Sequence, residues 1–243
     1  MNTLYDTIGL NYSNLRNPEY RIAGLIDASL GDARTVLNVG AGTGSYEPAD
    51  KDVTAIDPSM KMINQRPPSK ARIIQGYAEN IPFKDKSFDV SMAILTVHHW
   101  SDQQKGLSEM RRVTRGKISI LTFDPAFRGF WLADYFPDLI TIDEKQMPRL
   151  EEFENWLGPI EISSVPIPHD CSDGFLAAYW RRPTAYLDKR VRDAISSFWV
   201  LRDVSKGLEK LDADLKSGAW AERYGELLDK HEVDCGYRLV TTK

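Results

Sequence analysis

The stretch Val36-Leu37-Asn38-Val39-Gly40-Ala41-Gly42-Thr43-Gly44-Ser45 decides the fold, because an apolar strand runs directly into three glycines set at every second position. Glycine reaches left-handed backbone conformations at no steric cost and lets a backbone approach a ligand closely, so such a loop marks a binding edge. Outward from it, short β-branched or apolar runs recur at Thr35–Val39, Val53–Ile56, Arg72–Ile74, Phe88–Leu95 and Lys117–Phe123. Helical patterns separate several of them, which predicts a doubly wound, mostly parallel α/β sheet. A helix is expected over about 18–30, with Ile22, Leu25, Ile26 and Leu30 on one face and Gly31 as its stop. A second, over about 102–114, is expected to take Ser101 as its cap and to turn Leu107, Met110 and Val113 inward.

Beyond Leu150 the pattern changes. A candidate strand Ile160–Ile167 is followed by a long helical stretch before a last candidate strand, Tyr237–Thr242. Leu187, Val191, Ala194, Ile195 and Phe198 follow helix spacing, as do Leu208, Leu211 and Leu215, then Trp220, Tyr224 and Leu227. The expected division is a core of residues 1–167 and 233–243 with a helical cap, 168–232, inserted between the last two strands.

Composition bounds the function. The chain has 243 residues, 31 Lys plus Arg against 35 Asp plus Glu, a net charge of −4 and 42% apolar residues, as in ordinary soluble globular proteins. Charge-free stretches such as Val90–Ser101 stop far short of the ~18 apolar residues of a membrane span. Residues 1–17 lack the basic start and apolar centre of a secretory signal, so a cytoplasmic location is expected. Cys171 and Cys235 have no zinc-site spacing and read as reduced structural thiols. Without a basic block, a small-molecule partner is expected in preference to nucleic acid or membrane, and nothing addresses oligomeric state.

Asp57 sharpens the site. It stands 17 residues beyond Gly40, at the carboxyl end of Val53–Ile56, where a carboxylate beside the first glycine loop can accept hydrogen bonds from both hydroxyls of a ribose. A turn or cap residue before Pro58 is the alternative. A dinucleotide fingerprint wants Gly or Ala where Ser45 stands, which disfavours a nicotinamide oxidoreductase. The GxGxG form suits the amino-acid end of S-adenosylmethionine, whose single carboxylate needs fewer backbone donors than a pyrophosphate.

With the segment GYAENIPFKDKSFDV (residues 76–90) added, the chain resembles class I S-adenosylmethionine-dependent methyltransferases, strongly over residues 35 to about 124. The helical insertion is similar to the substrate cap of the trans-aconitate methyltransferase group. The resemblance implies a seven-stranded Rossmann-like sheet and S-adenosylmethionine as cofactor. It also implies methyl transfer by in-line displacement to a small molecule, leaving S-adenosylhomocysteine. It places Gly40, Gly42, Gly44, Asn38, Asp57, Pro58, Ala78, Glu79 and Leu95 around the donor, with Glu79 toward the adenine amine. Tyr12 and Arg16, in a lid-like segment, would face the sulfonium and a carboxylate. Two departures stand out: Asn38 replaces the usual acid before the glycines, and Tyr77 replaces a small acidic residue.

At the fourth strand's end, His98 is a candidate base for an acceptor hydroxyl or amine, and both His98 and His99 could instead tie the loop to neighbouring backbone. His169, with Asp170, is a weaker candidate, and Arg181 or Arg182 could hold an acceptor carboxylate. The rival of another class is a non-catalytic S-adenosylmethionine-binding or partner-binding protein, kept open by Asn38 and Tyr77.

Overall fold

A computed structural model describes residues 16–243, so Tyr12 lies outside the described residues. The strands are β1 (Thr35–Val39), β2 (Asp52–Asp57), β3 (Arg72–Gln75), β4 (Val90–Ile94), β5 (Ile118–Phe123), β6 (Ile160–Ser164), β7 (Ile167–Pro168), β8 (Glu232–Val233) and β9 (Tyr237–Thr242). Seven form one sheet in the order β3-β2-β1-β4-β5-β9-β6, and β7 pairs with β8 in a separate antiparallel ribbon. The first five strands pair in parallel, and β9 runs antiparallel between β5 and β6. This is the expected doubly wound sheet, and its strand order reverses between β1 and β4, where such sheets hold ligands at their carboxyl ends.

Alternation along each strand divides the core between the two faces. Val36, Met92, Leu121 and Leu239 pack with Ile22, Ile26 and Leu30 of α1 (Tyr20–Leu30). Leu37, Val39, Ala93 and Ile120 pack on the other face. Their partners are Leu107, Met110 and Val113 of a helix at Gln103–Val113, and Phe153 and Leu157 of one at Leu150–Leu157. In chain order the helices after α1 are α2 (Met60–Asn64), α3 (Gln103–Val113), α4 (Asp138–Gln146) and α5 (Leu150–Leu157). They continue as α6 (Lys189–Asp193), α7 (Ser196–Val200), α8 (Ser205–Ser217) and α9 (Ala219–Tyr224).

Local chemistry corrects several boundaries. Helix α1 starts at Tyr20, because the Glu19 carboxylate accepts from the Arg21 amide and serves as the cap. Asp102, not Ser101, caps α3 by accepting from the Lys105 amide at 2.9 Å, while the Ser101 hydroxyl donates to Glu79. The candidate strand Ile160–Ile167 is two pieces, β6 in the main sheet and β7 in the ribbon. The stripe Leu187–Phe198 is not one helix but a 3₁₀ turn (Pro183–Leu187) followed by α6 and α7. Helices α8 and α9 are separated by Gly218 at φ 87°, a left-handed turn that ends the first.

The helical block does not form a core of its own. Trp131, Trp180, Tyr186, Phe198, Leu211 and Trp220 are buried in the same apolar cluster as Ile22 and Met92. Their polar edges are largely answered internally: the Trp131 indole donates to the Trp180 carbonyl at 2.8 Å, and the Trp180 indole to the Ile167 carbonyl at 2.9 Å. Cys171 and Cys235 are free and buried, and burial lifts the Cys171 thiol to about 12, so it stays protonated and unreactive. Among the described residues no helix is long and apolar enough to cross a membrane.

Candidate active site

A cleft of about 380 Å³ runs along the carboxyl ends of the parallel strands. In sheet order it is lined by Asp57 from β2, Gly40 and Gly42 after β1, Thr96 and His98 after β4, Phe123 at the end of β5 and Tyr237 at the start of β9. Four strand spacings of ~4.8 Å separate its two ends, roughly 19 Å. That is long enough to hold two ligands side by side.

The glycine end is shaped by steric necessity. Gly40, Gly42 and Gly44 have φ of 70°, 51° and 86°, all left-handed. A Cβ on Gly40 would lie 2.1 Å from Thr96 Oγ1, so the loop presses directly on the chain leaving β4. Leu95, in that same segment, holds a φ of 50°, a conformation disfavoured for its side chain, and lines the cleft.

Asp57 is buried, at 7% exposure, and ties the loop in place. Its Oδ2 accepts from the Gly42 amide at 2.7 Å and its Oδ1 from the Ser59 amide at 2.8 Å. Each carboxylate oxygen can accept more than one hydrogen bond, so the group can also receive ribose hydroxyls. Pro58 lines the cleft beside it.

Asn38 departs from the acidic residue usual at its position, and its surroundings explain how the site accommodates that. Its Nδ2 donates to Glu47 Oε1 at 2.9 Å, and the other oxygen of Glu47 is paired with Arg66 at 2.5 Å. Arg66 in turn donates to the Gly42 carbonyl at 3.2 Å. The amide oxygen of Asn38 is buried without a partner among the described residues. An orphaned acceptor beside a glycine loop fits the ammonium of a methionyl group, which supplies the missing donor. The donor set therefore fits S-adenosylmethionine. Glu47 and Arg66 carry no signal in the sequence, because their role is to clamp the loop from behind.

In the loop after β3, Ala78 and the half-exposed Tyr77 line the cleft. Glu79 lines it too, but its Oε1 already accepts from the Ser101 amide and hydroxyl, both at 2.8 Å, and from the Asp102 amide at 3.1 Å. One carboxylate oxygen thus fastens the loop after β3 to the start of α3, and only the other is left for a ligand.

Arg16 also reaches the cleft, though in the grip of a partner. Asp173, buried at 1% exposure, accepts from Arg16 Nε at 2.5 Å and from the Tyr46 hydroxyl at 2.8 Å. The carboxylate that meets Arg16 in this structure is therefore the protein's own. Spacing gives no hint of it, because Asp173 and Tyr46 lie far from Arg16 along the chain.

His98 and His99 both line the cleft, with ring centroids 3.8 Å apart. By area His98 is half-buried and His99 exposed, and both rings stand in the wall of the cleft. Desolvation there holds His99 down to about 4 and His98 well below its ordinary value, with repulsion from His99 adding to the latter. Both are neutral at pH 7.

The far end is mostly apolar, with Ser196 and Ser197 of α7 and one carboxyl also on its wall. Phe123, Met147, Phe175, Leu176, Ile195 and Tyr237 form its walls. Asp143, on α4, stands among them at 8% exposure, and burial raises its carboxyl to about 7 against a small opposing pull from Arg128. No motif points to this aspartate. The one signal the sequence carries is Leu139 and Asp143 one turn apart on a single buried face.

Three further expectations are corrected. His169 stands outside the cleft, beside the β7–β8 ribbon, where its amide donates to the His231 carbonyl at 2.8 Å. Arg182 points away too, donating to the Cys171 and Ala178 carbonyls at 2.9 and 2.8 Å. Arg181 donates to the Lys230 carbonyl at 3.2 Å. The loop carbonyls claim these cations before any acceptor could.

Residues 37–119 match the family model described as a methyltransferase domain. The chain is similar to the crystal structure of a candidate methyltransferase from an antibiotic biosynthesis pathway of Anabaena variabilis. That match has 40% identity and a TM-score of 0.87, and covers 94% of this chain and 99% of the other. It is 29% identical over 172 residues to the chloroplastic 2-methyl-6-phytyl-1,4-hydroquinone methyltransferase of Spinacia oleracea, covering 63% of this chain and 48% of that protein. It is 31% identical over 137 residues to the demethylmenaquinone methyltransferase of Paenarthrobacter aurescens, covering 52% of this chain and 53% of that one. The chain thus spans about half the length of these curated relatives. On the glycine loop, the strand order and the near full-length match, this chain belongs to the class I S-adenosylmethionine-dependent methyltransferases.

Proposed function

We propose that the protein transfers the methyl group of S-adenosylmethionine to a small, largely apolar acceptor bearing a hydroxyl, of the phenol or hydroquinone kind. One observation carries this reading: a single cleft joins the glycine loop and Asp57 to a wall of Phe123, Phe175, Leu176, Met147 and Tyr237. Apolar walls with few polar groups select a flat, apolar ligand. The names of two relatives, a 2-methyl-6-phytyl-1,4-hydroquinone methyltransferase and a demethylmenaquinone methyltransferase, support that class.

When bound, the donor supplies an electrophilic methyl group on a sulfonium. The chain's own residues hold and orient. Asn38 Oδ1 would accept from the ammonium, the Asp57 carboxylate from the ribose hydroxyls, and Ala78 with Tyr77 would flank the adenine. The neutral imidazoles of His98 and His99 meet the acceptor as hydrogen-bonding groups. Residues 168–232 act as the cap over the core of 1–167 and 233–243, excluding water from the reacting pair. Positioning and desolvation supply most of the rate.

Isothermal titration with S-adenosylmethionine tests the donor half, and release of S-adenosylhomocysteine with a panel of phenols, naphthols and hydroquinones tests the acceptor half. Tight donor binding with no product from phenolic, metabolite or protein pools would favour the non-catalytic reading instead.

A further inference from the structure

We infer that Asp143 is the catalytic base of this cleft, the group that takes the hydroxyl proton of the acceptor. The assignment rests on the proposed methyl transfer to a hydroxyl-bearing acceptor and names the residue that serves it.

Three observations meet at this side chain. Asp143 lines the cleft from α4, at the end opposite the glycine loop. It is more than nine-tenths buried. No hydrogen bond to its carboxyl oxygens is found among the described residues, whereas Asp57, Asp89 and Asp173 each accept from amides, hydroxyls or guanidinium groups. A buried carboxyl is costly without a partner, so one kept in the mostly apolar wall of a ligand cleft is expected to meet its partner on the ligand.

The groups around Asp143 leave that role to it. Arg128, after β5, is engaged by Glu144 and by the Pro125 and Phe127 carbonyls, so it influences Asp143 only at a distance. Tyr237, across the cleft on β9, is buried and held neutral. The packed helix α7 carries no titratable side chain, and Asp134 of the neighbouring 3₁₀ turn (Trp131–Asp134) accepts from the Tyr224 hydroxyl. His98 and His99 share the cleft but hold protons too weakly to compete. A base works best when its affinity for the proton matches neutrality, and of these groups Asp143 alone, at about 7, meets that condition.

In the step itself the hydroxyl proton passes to a carboxylate oxygen of Asp143, and the hydroxyl oxygen's electron pair forms the bond to the methyl carbon. The pair of the breaking carbon–sulfur bond stays on sulfur. Asp143 then returns its proton to water as the cleft opens.

The test compares the wild-type protein and Asp143→Asn, each saturated with S-adenosylhomocysteine, by titrating 1-naphthol and its proton-free analogue 1-methoxynaphthalene between about pH 5 and pH 8. Naphthol affinity is expected to rise about tenfold through neutrality in the wild type, because the ionised carboxylate accepts the stronger hydrogen bond. It is expected to stay flat in Asp143→Asn, and for the methoxy analogue it is expected not to rise in either protein. With an acceptor that is turned over, Asp143→Asn is expected to lower kcat by about 100-fold while S-adenosylmethionine affinity is unchanged. Unchanged donor affinity also shows that the variant is folded. Equal pH dependence in both proteins overturns the Asp143 assignment alone, and no naphthol binding where the donor binds overturns the hydroxyl-acceptor reading and the assignment with it. Failure of S-adenosylmethionine to bind overturns the reading of the cleft on which it rests.

Discussion

Gly40 and Thr96 are packed so closely that a methyl group on the glycine would stand 2.1 Å from the threonine hydroxyl oxygen. The contact joins the loop after β1 to the segment leaving β4, the two neighbouring strands between which the sheet order reverses. Gly40→Ala therefore meets both a steric clash and an unfavourable φ of 70°. Together these are expected to cost about 2–4 kcal/mol of stability, read by thermal unfolding, and to abolish donor binding, read by titration. Thr96→Ala in the same chain is expected to restore only part of the stability, since the threonine Cβ itself lies 2.9 Å from the added atom.

Asp57 holds the amides of Gly42 and Ser59 before any donor arrives. Asp57→Asn offers one acceptor oxygen where two are used and turns an N–H₂ group toward an N–H. Its affinity for S-adenosylmethionine is expected to fall roughly 10- to 100-fold, the range for losing a hydrogen bond to a charged group. Unchanged affinity in a calorimetric titration would remove Asp57 from the site.

Arg16 and Asp173 form an ion pair whose side chains are 10% and 1% exposed. Removing the carboxylate breaks a nearly buried ion pair, so Asp173→Ala is expected to cost about 3–5 kcal/mol. It also deprives the Tyr46 hydroxyl of its acceptor. A double-mutant cycle with Arg16→Met measures the coupling, and additive effects would show that the pair contributes little.

The histidine pair makes a prediction whose sign follows from its lowered proton affinity. His99 titrates near 4 in the folded chain against an ordinary 6.5, so between those values the unfolded chain takes up a proton that the folded one does not. Stability is therefore expected to fall as pH drops from about 6.5 toward 4. His98→Gln and His99→Gln are each expected to flatten that decline. Imidazole proton resonances of both residues are expected not to shift between about pH 6 and pH 8.

Asp143 predicts the opposite slope. Its carboxyl titrates at about 7 in the folded chain and near 3.8 otherwise, so the folded state holds the extra proton between those values and stability falls as pH rises through them. Above pH 7 the ionised, buried carboxylate costs about 4 kcal/mol, because each tenfold change in proton affinity is worth about 1.4 kcal/mol. Asp143→Asn is expected to be more stable than the wild type at pH 8 and closer to it at pH 4, measured by denaturant unfolding.

Local pattern alone determined the sheet, the glycine loop and Asp57. Thr35–Val39 and Tyr237–Thr242 are strands over the very residues read as strand segments, because both lie inside the sheet with neighbours on either side, which buries Val36–Val39 on both faces and Tyr237, Leu239, Val240 and Thr242 of β9. Tertiary structure decided the rest, since it depends on residues brought together across long stretches of chain. Glu47 and Arg66 answer for Asn38, Asp173 captures Arg16, and backbone carbonyls capture Arg181 and Arg182. A lone aspartate on α4 becomes a cleft carboxyl only when that helix docks beside the ends of β5 and β9. Hydrogen bonding and burial are set by which groups meet in space, and one-dimensional spacing carries no record of a meeting between distant residues.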